Sequence, residues 1–263
     1  MSANLIHYPP NPAYGTGVYR RRITFSCRAD GMDVGLLDDY HDMGVALTVE
    51  GGVISNVVAR MDRFPKTSCP GAAAALCALI GRSASASAVA LSAEERGGQC
   101  THLVELARLG LTRLMRGEPS GVAEIALTDR DGTGRQRLTL ELDGTLARVL
   151  VLQDEAILEP DAYRGRSLFG GFIRWVDEQF PPEEADLWRM AQMAAFVARG
   201  RAYIVDGNVP RRVADEPSRR GACYSFSGAA FETAYDNTGY VRDMSNGLPP
   251  LREIARSLAK EGA

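Results

Sequence analysis

Long apolar runs are missing from this chain. No stretch approaches the roughly 20 residues that a spanning helix needs, and the first residues lack a charged segment followed by an apolar one. A protein of the cytoplasm, with no membrane partner, is therefore expected. Charge of one sign is missing too: 30 basic against 33 acidic side chains leave a net charge of -3, with no basic face for nucleic acid. Phosphate-binding glycine patterns are absent as well. Gly15-Thr16-Gly17 and the glycines from Gly165 to Gly171 have the wrong spacing and context for a dinucleotide or P-loop site, so no organic cofactor is expected. The 5 cysteines are few, odd in number and scattered, with no Cys-x-x-Cys pair, which argues for reduced thiols rather than a disulfide framework. Histidine is scarcer still, at 3.

What remains is an ordinary globular mixture, 45% hydrophobic and 24% charged, enough for one large domain or two modest ones. Residues 1–17, rich in Pro, Asn, Gly and Tyr, read as an extended arm. A first α+β unit follows over 18–118. Tyr19, Ile23, Phe25 and Cys27 share one strand parity, with Arg20 and Arg22 on the other. A connection rich in Gly and Asp leads to a hairpin, in which Met43 to Val49 and Val53 to Met61 flank the turn Glu50-Gly51-Gly52. Pro70 then opens a helix through Leu76 and Leu79 to Gly81, and Ser83 to Ala90 is helix or loop. A better-defined helix, capped by Thr101, carries a Leu103, Leu106, Ala107, Leu111, Leu114 stripe and ends at Gly117.

A second α+β unit is expected over 119–263 and is assigned a pocket wall. Its strands are Val122 to Thr128, Gln136 to Leu142 and Leu146 to Leu152, with Asp131-Gly132 and Asp143-Gly144 turns. Helices follow around Phe172 to Phe180 and from Pro181-Pro182, the latter with Leu187, Met190, Ala194 and Val197 inward. Arg201 to Val205 reads as a strand and Pro250 as the start of a last amphipathic helix. Aligning Leu47 to Met61 with Leu140 to Leu152 leaves open a duplication into two βββαα units.

The chemistry concentrates in three stretches. Gly97-Gly98-Gln99-Cys100-Thr101-His102 delivers a thiol and an imidazole to a helix start; Asp38-Asp39-Tyr40-His41-Asp42-Met43 and Pro65-Lys66-Thr67-Ser68-Cys69-Pro70 are expected to converge on it. Unpaired N–H groups of a first helical turn favour a thiolate, so lowered pKa values are expected for Cys69 and Cys100, as nucleophile or metal ligand. Cys27 and Cys77, on apolar faces, are expected in the core. His41 and His102 are suited to exchange protons near neutral pH, with Asp42 orienting one of them. The plain alternatives are that the histidines bridge backbone groups and that the cysteines pack. Asp42, Cys69, Cys100 and a histidine would also suit zinc, which accepts mixed O, S and N ligands.

The order His41-Asp42-Met43, Ala59-Arg60-Met61-Asp62, Pro65, Cys69-Pro70, Gly81 and Gly98 through Glu105 resembles a bacterial family catalogued as domain of unknown function 2889, over about residues 19–116. The family brings no established activity; a loose association with degradation of aromatic compounds implies a small aromatic substrate. A fainter similarity is to iron–sulfur cluster assembly scaffolds. There Asp42, Cys69 and Cys100 would occupy ligand positions, with Tyr40 and Gln99 where a scaffold has cysteine and histidine. That likeness implies a shared fold more than a shared task.

These observations lead to an α+β enzyme, without organic cofactor, that acts on a small aromatic compound. The expected reaction is an acid/base lyase step, a retro-aldol cleavage releasing a small aldehyde such as formaldehyde. His41, Asp42, Cys69 and His102 are its catalytic set. Arg219, Arg220, Tyr224 and Phe226 would bind the substrate, the arginines meeting its charge. A zinc-dependent hydrolase and a non-enzymatic metal or iron–sulfur carrier are the alternatives, and a homodimer is left open.

Overall fold

The computed structural model describes residues 8–89, 98–207 and 209–251. Its elements begin with β1 (Val18–Arg28), β2 (Gly31–Asp38), β3 (Asp42–Glu50), β4 (Val53–Arg63), α1 (Ala72–Leu76), α2 (Ala84–Val89) and α3 (Thr101–Met115). They continue with β5 (Gly121–Thr128), β6 (Arg135–Leu142), β7 (Thr145–Gln153), β8 (Ala156–Glu159), α4 (Phe172–Gln179), α5 (Pro182–Ala198) and α6 (Gly228–Thr233). The class is α+β, with antiparallel hairpins followed by helices. Among the described residues no helix is long and apolar enough to cross a membrane.

The chain does not divide at 118/119. Two compact units interleave: a histidine unit from the described residues of 23–121, 206–241 and 249–251, and a tryptophan unit from those of 8–22, 122–205 and 242–248. Residues 206–241 therefore return to the unit that carries the histidines, where backbone bonds from Thr67 N–H to Tyr235 O and from Asn237 N–H to Pro65 O, 2.9 and 2.8 Å, tie them down.

In the histidine unit the strand order is β4-β3-β2-β1. The β3–β4 hairpin is the expected one: Glu50 pairs with Val53, and Gly51 and Gly52 take φ of 57° and 80°, the left-handed pair that a two-residue turn demands. β2 is a strand that the sequence hides. Gly31-Met32-Asp33-Val34-Gly35-Leu36-Leu37-Asp38 looks like a connection, yet all but one of its residues are buried. Its glycines answer to packing: a methyl on Gly31 would overlap the Leu47 carbonyl, and Gly35 faces Gly44. Asp33 is accommodated by Arg28, whose Nη1 donates to it at 2.6 Å.

The helix α3 lies across β2 and β3. Leu103, Leu106, Ala107 and Leu111 are fully buried, as their spacing predicts, and Gly110 lets the helix approach Val34 and Leu47 closely. The cap of α3 is Cys100 in extended conformation rather than Thr101. The Pro70 helix is broken into a 3-10 turn at Cys69–Gly71, the single turn of α1, and another 3-10 turn at Cys77–Leu79. Cys27 and Cys77 are exposed rather than core; Cys27 sits where β1 leaves its covered face.

In the tryptophan unit the order is β1-β5-β6-β7-β8, and Asp143-Gly144 makes the β6–β7 turn with φ of 50° and 75°. Tyr19 and Arg21 at the start of β1 are fully buried. Trp188 on α5 is buried at the centre of the rings of Tyr163, Phe172, Trp175 and Phe180, 5.1–5.9 Å away. Arg148 stacks on the indole at 3.8 Å. With the indole inward, Ala191, Ala194 and Ala198 complete the buried face, and Leu187 and Val197 move to its margin. These aromatics fill a core. Arg201 to Val205 is not a strand: a 3-10 turn at Arg199–Ala202 turns Arg201 onto Asp129 at 2.7 Å, leaving one bridge from Tyr203 to Pro10 of the arm. The expected last helix falls from residue 252 onward outside the described residues, as does Gly97.

Candidate functional site

The chain reverses between β2 and β3 through Asp38-Asp39-Tyr40-His41, closed by a bond from Asp38 N–H to His41 O of 3.0 Å. Asp38, wholly buried at the end of β2, accepts the N–H groups of Tyr40 and His41 on Oδ1, both at 2.8 Å. The same Oδ1 lies 2.9 Å from Nδ1 of His41, and Oδ2 lies 3.2 Å from it. An ionised carboxylate only accepts, so Nδ1 of His41 is the donor, and in the neutral imidazole Nε2 is the basic nitrogen. Short polar residues such as Asp bind the backbone two or three positions on, and this is the local signal in the sequence that marks Asp38.

His102, in the first turn of α3, completes the pair. Its ring centroid is 4.2 Å from that of His41, with the planes 35° apart. His41 is buried and His102 half-buried, with its Nε2 enclosed. Tyr40 stands at 6.3 Å from His41 and packs on Tyr240 at 6.4 Å, so one tyrosine ring borders the imidazoles and a second packs on the first. Arg63 at the end of β4 locks the turn: Nη1 donates to the carbonyls of Asp39 and Tyr240 at 2.7 and 3.0 Å, and Nη2 to those of Asp38 and His41. Asp38 lies in a stretch expected at the site, but the orienting role is expected of Asp42; Arg63 is not expected there, and belongs to the site through the register of β3 on β4.

Asp42 does not orient a histidine. It opens β3 and faces Arg60 at 3.4 Å, so the orienting carboxylate is Asp38, four residues earlier. Cys69 bonds through its sulfur to the hydroxyl of Ser225, 3.4 Å away. The returning segment brings Ser225 there, anchored by Tyr224 N–H on Gln99 O at 2.8 Å, with the Tyr224 phenol seated against Gly71.

The thiols are the reverse of what helix starts imply. Burial pushes the Cys69 thiol up, only partly offset by the Ser225 hydroxyl, and burial pushes Cys100 up to about 12. For Cys69 the single turn that follows offers too weak a dipole, and at both sites an enclosed sulfur loses more solvation than the helix end returns. Tyr240 is likewise raised, by burial and then by the charges of Asp236 and Asp206. Lys66 pairs with Asp236 in the interior beneath this segment.

The expected zinc set is not assembled. Asp42 is turned to Arg60, and among the described residues no three His, Cys, Asp or Glu side chains stand together as a metal group. The expected anion-binding arginines are also engaged elsewhere. Arg219 pairs with Glu216 at 3.1 Å and stacks on Phe226 at 4.2 Å; Arg220 pairs with Glu232 at 2.8 Å and stacks on Phe231 at 4.0 Å. Phe226 itself is buried in a cluster with Val213, Phe231 and Ala234. Of the four proposed substrate contacts, Tyr224 is seated against Gly71, two residues from Cys69.

Every part of the imidazole pair falls within one family segment. Residues 27–115 match the family described as Protein of unknown function (DUF2889). The match takes in Asp38, His41, Arg63, Cys69, Cys100 and His102, whereas Ser225 and Tyr240 lie beyond it. No curated protein and no solved structure matches the chain, so the scaffold-like fold gains no support from a relative.

Proposed function

We propose that the protein is an acid/base enzyme of the cytoplasm in which His41, oriented by Asp38, and His102 move a proton on a small aromatic substrate. One observation carries this reading: a buried carboxylate fixes the protonation of one imidazole while a second, partly exposed imidazole stands 4.2 Å away. Such a pair can hold one base and one acid at once, and each positioned group contributes about 10²–10⁴-fold to a proton transfer. The Tyr40 ring beside it, with Tyr240 packed on Tyr40, suits a flat substrate.

The reaction favoured is a retro-aldol lyase step. His41 Nε2 takes the proton of a side-chain hydroxyl, and that carbon closes to an aldehyde as its bond to the ring-bearing carbon breaks. The electron pair left on that carbon, delocalised into the ring, takes a proton from the second imidazole. No oxidant or organic cofactor enters the balance. Cys69, kept as a neutral thiol, serves as a polar wall with Ser225 rather than as a nucleophile.

The test uses aromatic compounds with a hydroxymethyl group on the benzylic carbon and reads free formaldehyde. Wild type releases it, and His41→Gln and His102→Gln each lose about 10²-fold or more with unchanged melting curves. Near-normal rates in both variants, or no release by wild type from any compound of the panel, would remove the reading. One zinc per chain in protein purified without chelators, lost together with activity in Cys69→Ala, would favour the hydrolase instead.

A further inference from the structure

A cleft of about 440 Å³ opens in the tryptophan unit, far in character from the imidazole pair. Its polar wall is one face of β6, where Arg135 and Arg137, two positions apart, project on the same side. Val151, the register partner of Arg137 on β7, supplies an apolar floor, and the lining also includes Thr16 and Thr128, whose hydroxyl accepts the backbone N–H of Arg137 at 2.8 Å.

The carboxylates at this cleft are already engaged. Asp129, almost wholly buried, accepts the N–H groups of Gly15 and Gly17 at 3.1 and 3.0 Å and the Arg201 Nε at 2.7 Å. A side chain on Gly17 would overlap Arg201, so this loop is built around that carboxylate. Asp131, at the rim, accepts the Thr133 hydroxyl and the N–H groups of Thr133 and Arg135 at 2.7, 2.8 and 3.0 Å. Among the described residues neither Arg135 nor Arg137 has a carboxylate in salt-bridge distance, although the Arg135 charge acts on Asp131 at the rim, whereas Arg22, Arg28, Arg60, Arg148, Arg189 and Arg201 all have one. The cleft thus presents an excess of donors, two of them forked cations over an apolar floor.

We propose that this cleft is a binding site for a small phosphate-bearing molecule, with Arg135 and Arg137 as the two cationic arms that straddle its phosphate. Guanidinium forks bind phosphate oxygens in pairs, and two arms on alternate residues of one strand suit a tetrahedral anion better than a flat carboxylate. Thr16 and Thr128 supply hydroxyl donors, and Val151 meets the apolar part of the ligand.

Calorimetric titration at low ionic strength with inorganic phosphate, phenyl phosphate and benzoate tests this on the full chain. Phenyl phosphate binds tightest, inorganic phosphate next and benzoate weakest, and Arg135→Ala and Arg137→Ala each weaken phosphate binding about tenfold or more. Arg135→Lys and Arg137→Lys, which keep the charge, recover part of the loss. Absence of heat with all three probes, or unchanged affinity in the Arg135→Ala/Arg137→Ala double variant with an unaltered melting curve, would overturn the assignment. Equal affinity for benzoate and phosphate would overturn the phosphate preference. Both arginines are exposed, so the fold survives these substitutions, and a failed formaldehyde assay leaves the outcome here untouched.

Discussion

Asp38 Oδ1 receives three donors at once: the backbone N–H groups of Tyr40 and His41 and the ring Nδ1 of His41, all within 2.9 Å. The turn that ends one strand thereby sets the tautomer of the imidazole that begins the next.

Asp38→Asn tests that relationship. The amide can still accept from the backbone, but it no longer favours a protonated Nδ1 or a charged ring. Activity falls about 10³–10⁴-fold, as for other carboxylate-oriented histidines, with little change in melting temperature. Nitrogen chemical shifts of the His41 ring report it directly: wild type shows Nδ1 protonated, and the variant a mixture. An unaltered shift pattern would mean that Asp38 does not set the tautomer.

Arg63→Lys separates charge from the fork. One ammonium cannot serve the four carbonyls of Asp38, Asp39, His41 and Tyr240 that the guanidinium holds. The variant loses about 1.5–3 kcal/mol in urea unfolding and more than tenfold in rate. Full activity in a stable Lys variant would show that the turn is held by other means.

Cys100 makes the fold sensitive to alkali. Its thiol ionises near 9.0 in the unfolded chain and at about 12 in the fold. Between those values the unfolded state has lost a proton that the folded state keeps, so stability is complete below pH 9 and declines as pH rises toward 12. Cys69 and Tyr240, raised in the same direction, add to the decline. Urea unfolding from pH 8 to 11 should show it, with a shallower slope in Cys100→Ala. In native protein at pH 8 an alkylating reagent modifies the exposed Cys27 and Cys77 first and Cys100 only on unfolding; rapid labelling of Cys100 would contradict its enclosure.

Gly31→Ala tests the hidden strand. The added methyl meets the backbone carbonyl of Leu47, which no rotamer change can clear, and β2 must shift from β3. A loss of about 3 kcal/mol is expected, read by denaturant unfolding. The same change at Gly51 meets nothing within 4 Å and costs only the left-handed backbone, about 1 kcal/mol.

Patterns that repeat every two or four residues were legible. The turns Gly51-Gly52 and Asp143-Gly144, the stripe of α3 and the alternation of β1 stand where their spacing puts them. β2 was not, because a strand buried on both faces does not alternate, and its glycines and aspartates mark close packing and a pairing with Arg28 rather than a loop. The helix-start cysteines misled for a different reason: their position is a local fact, but their ionisation depends on how much of the chain encloses them.

By itself the sequence determined that two imidazoles and two thiols would sit at a hairpin turn and at helix starts, because turns and caps depend on neighbours only a few residues away. Which carboxylate orients His41, that residues 206–241 return to cover Cys69, and that the arginines beside Phe226 and Phe231 are spent on glutamates were decided by the tertiary structure alone. Those outcomes rest on groups up to 177 positions apart meeting in a dry interior, where an unpaired charge or donor costs more than any local preference.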